Sequence, residues 1–89
     1  MLFRSLLIED DAFLRRQIAS FFSGRYEILE AETRSEGLAL VKAEEVDLVL
    51  LDMRLPPNTD SIEEGLLAAA ELKQVSPRTL IIADRKSVV

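Results

Sequence analysis

Two short apolar runs in this chain end abruptly in acid. Leu6-Leu7-Ile8 stops at Glu9-Asp10-Asp11, and Val46 to Leu51, broken only by Asp47, stops at Asp52. A short continuous apolar run with polar ends predicts a strand buried on both faces, as in a parallel sheet. In open α/β sheets, ligands bind at the carboxyl ends of such strands. If the two strands are neighbours, Glu9, Asp10 and Asp52 converge on one point. Clustered carboxylates repel one another, and a hard, oxygen-seeking divalent cation such as Mg²⁺ relieves that repulsion.

The rest of the pattern alternates between strand and helix periods. Strand one is expected over Phe3 to Ile8. A helix follows from an N-cap at Asp11, with Phe13, Leu14, Ile18, Phe21 and Phe22 on its apolar face and Arg15, Arg16 and Gln17 on the wetter side. Gly24 is a natural stop for it. Strand two is expected over Tyr26 to Ala31. Helix two follows Thr33 or Ser35 and buries Leu38 and Leu40 or Val41. Strand three is expected over Asp47 to Leu51. The polar loop from Pro56 to Ser61 leads into helix three, over Ile62 to Val75, with Leu66, Leu67, Ala70 and Leu72 as its apolar face. Pro77 marks the break, and Thr79 to Ala83 reads as strand four.

Four strands alternating with three helices predict right-handed βαβ crossovers and helices on both faces of one sheet. The expected fold class is α/β, a flavodoxin-like doubly wound parallel sheet. It is incomplete, because a final helix-strand-helix portion is missing after strand four.

Composition narrows the function classes. A length of 89 residues allows one domain. No apolar stretch reaches a transmembrane length, and the N-terminus lacks a signal-peptide pattern, so neither a membrane nor export is expected. The absence of cysteine fits a cytoplasmic origin. The absence of histidine excludes an imidazole general base and zinc sites that need imidazole. A net charge of −5 argues against direct nucleic-acid binding and favours a cation or another protein as partner.

Three segments together resemble the response-regulator receiver domain of two-component signalling: Leu6-Leu7-Ile8-Glu9-Asp10-Asp11, Leu50-Leu51-Asp52-Met53-Arg54-Leu55-Pro56, and a helix opened by Glu63-Glu64-Gly65-Leu66. The similarity covers Phe3 to about Ala83. It implies that Asp52 is the phosphoacceptor and that Glu9 and Asp10 are the acidic pair that holds Mg²⁺. The backbone carbonyl of Arg54 stands where the family supplies a further metal ligand, and its side chain borders the phosphoryl group. Asp11 matches a variable acidic position and is read as a helix cap, as Asp60 is read as a turn residue. The partners implied are a sensor histidine kinase and an output domain of the same chain, of transcriptional type. The loop from Pro56 to Ser61 resembles receivers attached to sigma-54-type transcription regulators.

Two features of the family are not found. A Ser or Thr is expected at the end of strand four, where Ala83 and Asp84 stand with Ser87 the nearest hydroxyl beyond. A Lys is expected after a fifth strand, and Lys86 is too close to strand four to be that residue. The tail from Asp84 to Val89 matches the translation of a common short-read sequencing adapter. Residues 1–83 are therefore expected to be a partial receiver domain and residues 84–89 a non-native tail.

Two other classes compete. A pseudo-receiver would act as a protein-interaction module without phosphorylation, which the intact Glu9, Asp10 and Asp52 oppose. A Mg²⁺-dependent phosphohydrolase of the haloacid-dehalogenase type needs a second Asp two residues after its nucleophile, and Arg54 stands there instead. The chain is thus expected to be a signalling domain rather than an enzyme, with self-association possible through an uncovered sheet edge.

Overall fold

The computed structural model describes residues 3–22, 24, 27–57 and 59–84, with Asp84 by its backbone alone. The elements alternate as β1 (Arg4–Ile8), α1 (Ala12–Phe22), β2 (Glu27–Ala31), α2 (Arg34–Ala43), β3 (Leu48–Asp52), α3 (Glu63–Val75) and β4 (Leu80–Asp84). The strands form one parallel sheet in the order β2-β1-β3-β4. This is the expected flavodoxin-like arrangement of four parallel strands and three helices. The chain winds outward to β2, returns, and continues on the other side of β1 with β3. The winding direction therefore reverses between β1 and β3, the place where doubly wound sheets bind ligands.

The helix ends follow from local chemistry. The Asp11 carboxylate accepts the amide of Leu14 at 3.1 Å, capping α1 as expected. Gly24 has φ +91°, a conformation that disfavours any residue with a Cβ. Thr33 caps α2 by accepting the amide of Glu36 at 3.2 Å. Ser61 Oγ accepts the amide of Glu63 at 3.0 Å as α3 begins. Thr79 anchors the entry to β4, its hydroxyl donating to the carbonyl of Val46 at 2.8 Å.

Alternation along the strands divides the side chains between two faces. Leu6, Ile8, Val49 and Leu51 point toward α2 and α3, where they pack with Val41, Ala68 and Leu72 in the main core. The opposite face carries α1 over β1 and β2. On that face Leu48 and Leu50 lie in register with Leu80 and Ile82. Leu80 and Ile82 are exposed, and a groove of about 490 Å³ is lined by Phe3, Ser5, Phe22, Ile28, Leu48 and Leu50.

Two helix faces differ from expectation. In α1, Phe13 and Phe21 are 73% and 82% exposed, while Arg15 and Ala19 are buried. Arg15 goes inward because backbone and carboxylate partners satisfy its guanidinium, which cancels the usual cost of burying a charge. In α3, Leu66, Leu67 and Ala70 face outward, and Gly65, Ala68 and Leu72 make the packed face. Gly65 sets this rotation, because α3 begins so close to Met53 that even a Cβ there would meet its backbone.

Candidate functional site

The acidic residues take their places from the ends of β1 and β3. Glu9 follows β1 directly, and its amide continues the pairing with β2 by donating to the carbonyl of Ala31 at 2.9 Å. Its carboxylate Oε2 accepts the amide of Asp11 at 3.0 Å. Asp10 lies between these two, half-buried. Asp52 is the last residue of β3, and its Oδ1 accepts the amide of Arg54 at 3.0 Å. Glu9 and Asp52 are only 4% and 3% exposed. A cavity of about 90 Å³ beside them is walled by Leu7, Ile8, Ile18, Leu50 and Leu51.

Glu9, Asp10 and Asp52 each offer one carboxylate oxygen, and the three oxygens lie within 4.8 Å of one another. At that separation each pair of like charges costs on the order of 3 kcal/mol at an effective dielectric of about 20. A divalent cation converts this repulsion into attraction. Oxygens that share one Mg²⁺ lie about 2.1 Å from it, so at most about 4.2 Å apart. In octahedral coordination at least two of the three pairs are neighbours about 3.0 Å apart, so binding would draw the oxygens together by up to about 1.8 Å from the 4.8 Å limit; the donor set is all hard oxygen, which is the chemistry that fits Mg²⁺. The apolar groove on the α1 face of the sheet is lined by no charged side chain among the described residues and does not meet this chemistry.

Two glycines bring the helices close to the site. A Cβ on Gly65 would collide with the backbone of Met53, between Asp52 and Arg54. A Cβ on Gly37 would meet the side chain of Ile8, next to Glu9, which is a flexible and more forgiving obstacle. Arg15 reaches back from the second turn of α1, its Nη1 donating to the carbonyl of Glu9 at 2.8 Å.

The structure thus brings together all three carboxylates singled out from the sequence, with Arg54 beside them and its side chain half-buried. Asp11 is the cap of α1 and Asp60 lies in an exposed turn. In the sheet register residue 84 stands directly across from Asp52, and Ala83 pairs with Leu51. Ala83 and Asp84, near which the resemblance expects a hydroxyl, thus end β4 beside the end of β3. Lys86 and Ser87 lie outside the described residues. Sequence reasoning missed Arg15 and Gly65. The signal for the first came only with its partners Glu9 and Glu30 in place. For the second it was a glycine in the opening turn of a helix.

Comparison with known proteins identifies the family and the fold. Residues 6–84 match the family model described as the response regulator receiver domain. The chain is 33% identical over 78 residues to the transcriptional regulatory protein GlrR of Escherichia coli, covering 86% of this chain and 16% of that protein. It is 31% identical over 78 residues to the chemotaxis protein CheY of Halobacterium salinarum, covering 86% of this chain and 61% of that protein. Among solved structures, the CheY-like response regulator receiver domain protein from Methanospirillum hungatei superposes with a TM-score of 0.75 at 28% identity, covering 99% of this chain and 69% of that one. The chain therefore spans less than two thirds of the length of these two curated relatives.

Proposed function

The chain belongs to the response regulator receiver domain family, a signalling family rather than a class of enzymes, and from that premise we propose that Asp52 accepts a phosphoryl group from a phosphohistidine on a sensor kinase. The observation that carries this reading is the convergence of Glu9, Asp10 and Asp52 on one point, with Asp52 buried at the switch point of the sheet.

The chemistry follows from what the residues can do. Phosphoryl transfer needs an in-line oxygen nucleophile and positive charge against the non-bridging oxygens. The amide of Arg54 holds Oδ1 of Asp52 and so orients the carboxylate, whose second oxygen attacks phosphorus. The P–N bond of the phosphohistidine breaks, its electron pair returns to the imidazole, and an acyl phosphate forms on Asp52. Glu9, Asp10, Asp52 and the backbone carbonyl of Arg54 would hold Mg²⁺, which when bound lowers the repulsion between two anionic reactants. The absence of histidine from this chain is no obstacle, because the phosphohistidine belongs to the partner. An output domain of transcriptional type would receive the signal, a proposal supported by the likeness to GlrR.

Incubation with acetyl phosphate and Mg²⁺, followed by intact-mass measurement, tests the proposal. The expected result is a gain of one phosphoryl group that requires Mg²⁺ and is lost in Asp52→Asn. A gain that persists in Asp52→Asn contradicts the assignment of Asp52. No gain at all favours a non-phosphorylated interaction module.

A further inference from the structure

The turn that carries two of the three carboxylates is tied to the rest of the sheet by one buried cation. We infer that Arg15 is a positioning residue for the acidic site, a role that rests on the Mg²⁺ reading above. The Arg15 side chain is 10% exposed and makes contacts in two directions. Nη1 donates to the carbonyl of Glu9 at 2.8 Å, a buried bond, and Nε donates to the carboxylate of Glu30 on β2 at 3.1 Å. Nη2 lies 3.9 Å from the carboxylate of Glu32, just past the end of β2.

These contacts close a loop. Glu9 Oε2 holds the amide of Asp11, Asp11 caps α1, and the amide of Arg15 donates to the carbonyl of Asp11 at 2.9 Å. The Arg15 side chain then returns to the carbonyl of Glu9. The β1–α1 turn is thereby fixed both to its own helix and, through Glu30, to β2. A planar guanidinium can hold a carbonyl and a carboxylate at once with fixed geometry, whereas an ammonium acts as a point charge. Glu30 also faces Arg16, whose Nε lies 3.6 Å away on an exposed side chain. Arg16 meets Glu30 from the exposed side and serves as the control.

Arg15 acts on the site through Glu9 and would touch neither metal nor phosphate. Its loss should therefore shift the Glu9 carboxylate in the metal-free protein and weaken cation binding, even where the charge is kept. The test is Mg²⁺ titration of the 89-residue chain and of Arg15→Lys, Glu30→Gln and Arg16→Gln, followed by amide NMR. Melting temperatures are measured alongside.

The expected result is a rise in the Mg²⁺ dissociation constant of roughly tenfold in Arg15→Lys, in line with losses seen when groups supporting a metal ligand are removed. A smaller rise is expected in Glu30→Gln and none in Arg16→Gln. The amide of Asp11, which reports the Glu9 bond, should move in Arg15→Lys before any Mg²⁺ is added. If Arg15→Lys does not fold, Glu30→Gln decides: a weakened Mg²⁺ affinity with a moved Asp11 amide supports the role, and parental values overturn it. A folded Arg15→Lys with parental affinity and an unmoved Asp11 amide overturns it as well. A parent chain that does not respond to Mg²⁺ overturns the reading of the site itself and this role with it.

Discussion

Replacing Asp10 by Asn removes one of three like charges from a site within 4.8 Å. Without metal, that change relieves repulsion, so the variant is expected to melt at a higher temperature than the parent in a chelator. One kcal/mol of relief corresponds to about 4–8 °C in a domain of this size. Added Mg²⁺ should then raise the melting temperature of the parent and leave Asp10→Asn nearly unchanged, since a ligand stabilises only the state that binds it. Thermal scans with and without Mg²⁺ check both signs. Gly65 makes the opposite case, because its substitution to Ala drives a Cβ into the Met53 backbone. The expected cost is about 1–3 kcal/mol by denaturant unfolding, typical of overpacking, together with weaker Mg²⁺ binding as the segment between Asp52 and Arg54 shifts. At this scale the sequence was most legible where chemistry is unusual. Glu9, Asp10 and Asp52 stand out because two apolar runs both end in acid, a pairing more specific than either end alone. Arg15 did not stand out, since a buried arginine is recognisable only once its partners on another strand are placed.

At the scale of elements, the strands were easier to read than the helix faces. β1 and β3 are built around the apolar runs at residues 6–8 and 48–51, and their burial on both sides leaves no face to misassign. α1 and α3 each carry more apolar residues than their contacts use, so periodicity alone does not fix which stripe points inward. In α1 the partners of Arg15 decide the rotation, and Phe13 is left in solvent. Phe13→Gln is therefore expected to change stability by no more than about 0.5 kcal/mol, the usual range for an exposed position. A core phenylalanine would cost several times that, and denaturant unfolding separates the two. Between α2 and α3, Arg34 spans Glu64 and Glu71 at 2.7 and 2.6 Å. The hydrogen bonds it donates to Glu64 and then Glu71 raise its pKa above the ordinary arginine value, so the guanidinium stays charged at neutral pH. Any contribution from this pair is fully present below the ordinary arginine pKa and lost only in strong alkali, as far as Arg34 itself is concerned.

For the whole molecule, the order β2-β1-β3-β4 is what unites the site, and no single segment announces it. It had to be supposed that β1 and β3 are neighbours; the parallel pairing of Ile8 with Leu51 makes them so. The sheet also carries an apolar surface on the α1 side. Leu80 and Ile82 are 59% and 47% exposed beside Leu48 and Leu50, and β4 is an edge strand among the described residues. Exposed apolar area next to a strand edge favours association, against which a net charge of −5 acts weakly at physiological salt. Sedimentation velocity of the 89-residue chain should show association that grows with concentration and recedes in Ile82→Lys. A monomer at every concentration would contradict this expectation.

The account stands on the three carboxylates forming one cation site. The direct measurement is an amide NMR titration of the parent chain with Mg²⁺. Saturation at one ion per chain is predicted, with the largest shifts at residues 9–11 and 52–54 and their loss in Asp52→Asn. Absence of saturable binding, or shifts centred anywhere else on the molecule, would contradict it.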